Sequence, residues 1–392
     1  MNAADFSGMS AKRTVSGLPV AHIALGALRA NWRHLAFLAK GVPPLAIVKA
    51  DAYGHGILPV TSALLEEGCR FFAVGSIAEG ILLREFLAAK GAGDVPVLPL
   101  LGIMTREDVQ MCVAYNLLPL VHSAWQLPLL ASAHVNGKSL PVALKAETGM
   151  SRLGMRDTAL LSAVRQTANL EPRLLLSHFA ASDDPGQHDS VAAQLVRFLS
   201  VFSAARAIWP DITPSIANSA ACLLQDELLR DLPVHLGRPG YALYGGNPLA
   251  GTAYEERGKG LEPVMAVTAP VLAVHDLVKG ATVSYGRTFT APSAMRVAVV
   301  GAGYSDGLPR GLSDKGRVCV RGISCPILGR VCMQMHMIDV TEVSDASPGD
   351  DAFLLGGVGP GAVGMEELAK TWGTIPYEVF CSLGRNNRKY TE

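Results

Sequence analysis

Leu45-Ala-Ile-Val-Lys49-Ala-Asp51-Ala-Tyr53-Gly54-His55-Gly56 is the stretch on which the architecture turns. Leu45 to Val48 is a short apolar run of the kind that forms a buried strand. A single lysine closes it, and a glycine-punctuated loop carrying Tyr53 and His55 follows. A lysine at the carboxyl end of a buried strand is costly unless its amine is used there. In a β/α barrel that end is where active sites form. Partial burial lowers an ammonium's pKa, and the neutral amine so freed is a nucleophile for Schiff-base chemistry. The plainer reading is a strand-end lysine that snorkels to solvent.

Outward from this stretch, short apolar runs alternate with amphipathic helical patterns. The expected strands are 45–49, 71–75, 96–101, 118–122, 141–147, 174–179, 212–218 and 234–238. Helical segments are expected at 57–67, 77–89, 106–115, 158–168, 190–208 and 221–230, with a weaker one at 124–134 because of Pro128. Ala21 to Gly26 reads as a further strand leading into a helix near residues 27–40. Eight strands, each followed by a helix, is the count of an α/β fold closed as a (β/α)8 TIM-like barrel; a doubly wound open sheet is the alternative. Lys49, Glu147, His178, Asn218 and Arg238 decide between them, because all five fall at or just beyond the carboxyl ends of their strands. One such residue merely opens a loop; five converging on one mouth make a barrel active site.

The rhythm changes near Asn247-Pro248. Residues 251–260 read as a polar linker, and Val- and Ile-rich runs follow at 264–276, 296–300, 317–320, 325–328 and 335–340, with one helix at 365–371. The expected organisation is a barrel over residues 1–250, with a disordered N-terminal segment of ten or so residues, and a mostly-β domain over 251–392.

Composition narrows the function. With 34 basic and 34 acidic residues, no nucleic-acid or anionic-membrane partner is implied. The seven cysteines form no CxxC pair and no zinc-spaced cluster, so no metal site is expected, and reduced core thiols of a cytoplasmic protein are the expectation. No uninterrupted apolar run reaches the length of a membrane span. Lys12-Arg13 followed by 18–28 faintly imitates a signal peptide, but His22 interrupts the run and Arg29 and Arg33 follow at once.

The twelve residues from Leu45 to Gly56 resemble the pyridoxal-phosphate lysine motif of the alanine racemase family, the fold-type III racemases. That resemblance makes Lys49 the residue expected to carry pyridoxal 5′-phosphate and places Tyr53 beside the cofactor. Other stretches resemble the family too, over nearly the whole chain. Lys145-Ala-Glu-Thr-Gly-Met-Ser-Arg152 matches the segment with a carbamylated lysine, so Lys145 as a carbamate would brace Arg152, and Arg152 would meet cofactor and substrate. Taken alone, Arg152 beside a Gly-Met turn is equally a surface residue, and His178 in Ser177-His178-Phe179 is more often a core histidine than a catalytic one. Ala217-Asn218-Ser219-Ala220 opens a helix with Ser219 as expected N-cap, and with Gly240 and Tyr241 it resembles the phosphate site that recurs after the last barrel strands. The resemblance aims Arg238 at the pyridine nitrogen; an arginine keeps its proton, leaving the ring a weaker electron sink and favouring racemisation over transamination.

In the second domain, Val283-Ser284-Tyr285-Gly286-Arg287-Thr288 matches the family's second base. Racemisation removes a proton from one face of Cα and delivers one to the other, so a lysine needs an opposing partner. The resemblance implies that Tyr285 reaches the partner subunit's site, backed by His178 and Arg238, in a homodimer. Tyr304, Asp306, Arg310 and Arg330 match the substrate access path, and Met333 the substrate contact. Three positions depart from the family pattern. Gln334 stands for an aspartate, Ser215 for a histidine, and Arg385 lies near where a phosphate-binding tyrosine is usual, so that it would replace that tyrosine as a donor to the cofactor phosphate. The implied activity is interconversion of L- and D-alanine with a role in D-alanine biosynthesis. Gln334 motivates the alternative of a racemase for another or several amino acids. A pyridoxal-phosphate-holding protein without catalysis is a different class, against which the β domain with Tyr285 argues, and the Cys-Asp signature of the related decarboxylases is absent.

Overall fold

The computed structural model describes residues 18–39, 42–131, 133, 137–156, 159–167, 169–232 and 234–392. The expected disordered start and the Lys12-Arg13 pair lie outside the described residues, as do parts of the segments expected at 124–134 and 158–168. The chain forms two compact units.

One unit, Arg29–Ala52 with Ile57–Leu261, is a closed β/α barrel. Parallel pairing joins Ala46–Ile47, Phe72–Val74 and Val97–Pro99. Leu118 N–H donates to Val97 O at 2.9 Å and carries the ladder to Leu120–Val121. From there it runs through Leu140–Lys145 and Leu170–Leu176 to Thr213–Ser215. The eighth stave, expected as a strand at 234–238, is not regular strand. Leu236 and Arg238 N–H instead donate to Pro214 O and Ala217 O, both at 2.9 Å. On the other edge Gly237 O and Pro239 O accept from Leu45 and Ile47, at 2.9 and 3.2 Å. Pro239 lacks an N–H, so the ladder closes the barrel without running evenly.

Helices form where caps support them. Ile77–Ala89 starts on a reciprocal Ser76–Glu79 capping box and Arg106–Ala114 on Thr105–Asp108. The helix expected at 221–230 breaks at Leu224 into Ser219–Leu223 and Gln225–Leu228, and Pro128 confines its neighbourhood to the short turns Ala124–Gln126 and Leu127–Leu130. His188–Ile208 belongs to a helical stretch long and apolar enough to cross a membrane, but it lays Val191, Phe198, Val201 and Ala205 inward as buried residues. The expected linker is an ordered turn of this unit, Glu255–Gly258, with Arg257 paired to Glu227.

The other unit contains the described residues up to Leu28, Tyr53–Gly56 and Glu262–Glu392. Strands Met295–Val300, His336–Asp339, Ile323–Leu328, Arg317–Val320, Asp351–Leu355 and Met265–Leu277 pair in that order, and the last closes back on the first. Val20–Ala24 joins this sheet, antiparallel to Met265–Leu277 and parallel to Asn387–Thr391. A sequence pattern names a strand but not its partner, so this first strand reads as the prelude to the barrel it does not join. Asn387–Thr391 is too polar, and too close to an edge, to register as a strand beforehand.

His336 sits fully buried in this sheet. Its Nδ1–H donates to Ala302 O at 2.8 Å, and burial pushes its pKa down to about 4 from 6.5. The unfolded chain therefore binds a proton across pH 4 to 6.5 that the folded chain refuses, so stability rises with pH through that window. The expected slope from this group approaches about 1.4 kcal/mol per pH unit mid-window. Urea titrations of wild type and His336→Asn, whose amide can keep the bond to Ala302 O, should show the variant's dependence flattened; an unchanged slope would clear His336 of this role.

Candidate active site

The site begins with a backbone of the wrong hand. Pairing of the first strand ends at Ile47, and Ala50, Asp51, Ala52 and Tyr53 then all adopt φ between 53° and 55°. Left-handed turns cost L-residues roughly 1–2 kcal/mol each, and such strain persists where surroundings over-determine it. Ala52 N–H donates to Val48 O at 2.9 Å, and Asp51 Oδ1 accepts from Ile57 N–H at 2.7 Å, fixing the start of the next helix. The turn lifts Lys49 out of the strand, so its side chain is exposed in this chain rather than partly buried as expected.

Below it, buried polar groups converge. Arg238 donates from Nη1 to Ser215 Oγ at 2.6 Å and from Nη2 to Ser177 O and to His178 Nδ1, the last at 3.0 Å. Ser215 spends its own proton on Leu236 O at 2.5 Å, which leaves its oxygen free to accept from the guanidinium. Arginine has no acceptor, so His178 Nδ1 accepts, and the neutral ring carries its proton on Nε2. Burial, then the charges of Arg238, Lys145, Arg152 and Lys49, hold His178 well below its usual pKa. Burial, followed by Arg238, Arg152 and Lys49, pushes Lys145 down to about 8. Lys145 ends its strand, Lys49 and His178 lie two residues beyond theirs, and Arg238 bonds to His178 and Ser215, so these four stand at the carboxyl ends of the staves, with the charge of Arg152 near enough to act on Lys145 and His178. Burial lowers Arg238 to about 10, still charged at neutral pH.

Beside them, the helix Ser219–Leu223 is capped by Asn218, not Ser219: Asn218 Oδ1 accepts from Ala221 N–H at 3.1 Å and from Ser182 Oγ at 2.7 Å. Asn218 is as good a cap, one position earlier. Ser219 Oγ accepts from Gly240 and Ala242 N–H at 3.0 and 3.2 Å, so its hydroxyl proton remains to donate. Tyr241 is buried in the following turn.

The pattern fits an anionic aromatic cofactor. Among the described residues Arg238 uses three of the five N–H groups of a guanidinium in the bonds above. The mouth gathers cations, and Ser219 offers a donor at a helix start.

In the other unit, Tyr285 stands 70% exposed on a turn between the paired strands Thr282–Val283 and Phe289–Thr290. Arg330 lies over the next residue, where a Cβ on Gly286 would meet its Cζ at 3.2 Å. Tyr304 N–H donates to Cys332 O at 3.1 Å, Ser305 N–H to Met333 O at 2.9 Å, and Asp306 Oδ2 accepts from Gly303 at 2.9 Å. Tyr304, Asp306, Arg330, Met333 and Tyr285 thus share one region; Arg310, Gln334 and Arg385 are exposed. Tyr53 is buried within this unit against Tyr377, ring centroids 5.8 Å apart, and burial raises its hydroxyl's pKa far above the usual value.

Comparison with known proteins decides the family. Residues 23–248 match the alanine racemase N-terminal domain and 264–391 the alanine racemase C-terminal domain. The chain belongs to the alanine racemase family. It is 46% identical over 375 residues to an alanine racemase of Nitratidesulfovibrio vulgaris (Miyazaki F), covering 94% of this chain and 97% of that one. A catabolic alanine racemase of Agrobacterium fabrum is 36% identical, with 94% and 90% covered. Among solved structures, alanine racemase from Bartonella henselae with covalently bound pyridoxal phosphate superposes with a TM-score of 0.81 at 30% identity, covering 95% and 99%. That from Streptomyces coelicolor gives 0.84 at 34%, covering 96% and 98%.

Against the alanine racemase pattern, Ser215 is more than a lost ring, because its hydroxyl holds Arg238. Sequence reading missed Ser177, whose carbonyl accepts from Arg238 and whose Oγ lies 2.6 Å from Thr148 Oγ1. It also missed His122, which burial lowers and Lys145 lowers further. A carbonyl leaves no mark in sequence, but both residues follow strands and were findable by position.

Glycine should relieve the left-handed turn where the exposed Ala50 pays for it. Ala50→Gly is expected to raise stability by about 1 kcal/mol. Gly54→Ala should cost more than that, because φ is +80° and a Cβ would stand 2.6 Å from Phe380 O. Thermal melts of the two variants check the opposite signs.

Proposed function

We propose that this chain is a pyridoxal-phosphate-dependent racemase interconverting L- and D-alanine. The observation that carries it is the convergence of Lys49, Lys145, Arg152, His178 and Arg238 at one barrel mouth, in a chain matching the family along nearly its whole length. Bound there, pyridoxal 5′-phosphate supplies the electron withdrawal that acidifies the substrate's Cα–H.

Lys49 holds the cofactor and moves the Cα proton on one face. Arg238 would face the ring nitrogen and, keeping its own proton, would not donate it there, which disfavours transamination. Asn218, Ser219, Gly240 and Tyr241 bind the phosphate end. Lys145, whose amine titrates near 8 among three cations, takes up carbon dioxide as a carbamate. Its new negative charge then braces Arg152 for contact with the cofactor and the substrate carboxylate.

Tyr285 projects from its own chain and serves the partner subunit of a homodimer, its hydroxyl moving the proton on the opposite face. Met333, Tyr304, Asp306, Arg310 and Arg330 frame the access path to that shared site. His178 helps by its tautomer: Nε2–H can donate to the phenol oxygen of the partner's tyrosine while Nδ1 is held by Arg238, and a phenol needs such support to act as a base at neutral pH. Lys49 handles the D-enantiomer's proton and Tyr285 the L-enantiomer's. A cytoplasmic supply of D-alanine is the corresponding role.

The test is a chiral amino-acid panel on purified protein, together with borohydride reduction. Alanine should racemise fastest, and the reduced cofactor should be found on the peptide containing Lys49. In the same preparation, isotopic carbon dioxide should label Lys145 more fully as pH rises through about 8, as the amine loses its proton. Racemisation of other residues without alanine would redirect the substrate assignment, and cofactor attached elsewhere would remove its basis.

A further inference from the structure

The turn that presents Tyr285 is strained, and the structure shows what holds it. Ser284 adopts φ 65° and ψ −175°, a region populated essentially by glycine alone. Gly286 follows at φ 74° and Arg287 at φ 50°. At Ser284 and Arg287 such backbone persists only when neighbours over-determine it. Two ties do so here. Ser284 Oγ donates to Arg330 O at 2.6 Å. On the far side, Thr288 Oγ1 donates to Asp314 Oδ2 at 2.8 Å, and Asp314 Oδ1 accepts from Gly329 N–H at 2.5 Å. Both ends of the turn are thus fastened to the segment 329–330. Gly329 must be glycine for this to fit, because a Cβ there would stand 2.7 Å from Val283 O and 2.9 Å from Ser284 Cβ. The base of the turn is anchored by Val283, buried with Ala291, Met295, Val297 and Leu328.

We infer that Ser284 and the Thr288–Asp314–Gly329 bridge are positioning residues that set the aim of Tyr285. A side chain as exposed as Tyr285 has little packing of its own to fix its direction, so its backbone must supply it. The inference rests on the reading of Tyr285 as the base for the L-enantiomer, and it concerns only that half of the reaction. Loss of the clamp should slow proton transfer on Tyr285's face and spare the face served by Lys49.

The experiment follows α-proton exchange of L-alanine and D-alanine with deuterated solvent in the holoenzymes of Ser284→Gly, Asp314→Asn and Thr288→Val, with Tyr285→Phe beside them. Ser284→Gly removes the hydroxyl while keeping a residue that adopts this backbone freely, so the variant is not lost to backbone strain. Each clamp variant should lose tenfold or more in exchange of L-alanine, while exchange of D-alanine and the cofactor's absorbance stay within twofold of native. Thr288→Val combined with Asp314→Asn should be no worse than the poorer single variant. Equal loss on both enantiomers, or native exchange on both, overturns the clamp. If Tyr285→Phe itself exchanges L-alanine at the native rate, the reading of Tyr285 fails; if it does not and the clamp variants do, only the clamp fails.

Discussion

A guanidinium buried without a charged partner among its hydrogen bonds is the constraint on which the barrel unit depends. Arg238 is 6% exposed and satisfied by a hydroxyl, a carbonyl and an imidazole nitrogen. Uncompensated burial of a cation is expensive, and these neutral acceptors must therefore be in place for the native state to exist. They come from the ends of two neighbouring strands, while the backbone of Arg238 closes the barrel through Ala217 O. One residue thus couples barrel closure, the tautomer of His178 and the field at the mouth. Burial, and then the same field, lower the pKa of the Lys145 amine to about 8 and hold His178 uncharged, so the site's chemistry and the fold's closure draw on one set of contacts.

Much of this was legible in the sequence because five polar residues at successive strand ends are more than loop openings require. Lys49, Glu147, His178, Asn218 and Arg238 were singled out that way, and the alternation of apolar runs gave the barrel. What escaped has physical reasons. The eighth stave holds its place through backbone bonds that Pro239 keeps irregular, and no propensity records those bonds. Val20–Ala24 reads correctly as a strand, yet its partners lie hundreds of residues away. The left-handed run from Ala50 to Tyr53 contains three residues of ordinary helix or strand propensity, and only tertiary contacts hold it in that hand.

The β unit shows a parallel economy. Its closed sheet gives the Tyr285 turn a rigid base in Val283 and Leu328, and the strain above that base is borne by side chains of low individual cost. A single exposed ring needs no explanation by itself, and that of Tyr285 is free to complete a site in a second copy. Ser215, with its proton committed to Leu236 O, supplies Arg238 with an acceptor it requires.

The central claim is that Lys49 and Tyr285 act together in a site shared between two subunits. Complementation tests it most directly. Lys49→Ala and Tyr285→Phe chains, each inactive, are mixed in equal amounts and allowed to exchange subunits. Half the dimers are then mixed, and each mixed dimer holds one site with both groups and one with neither, so racemase activity should recover to about a quarter of the native level. Absence of recovery, with subunit exchange confirmed, would place both groups on the same chain and contradict the account.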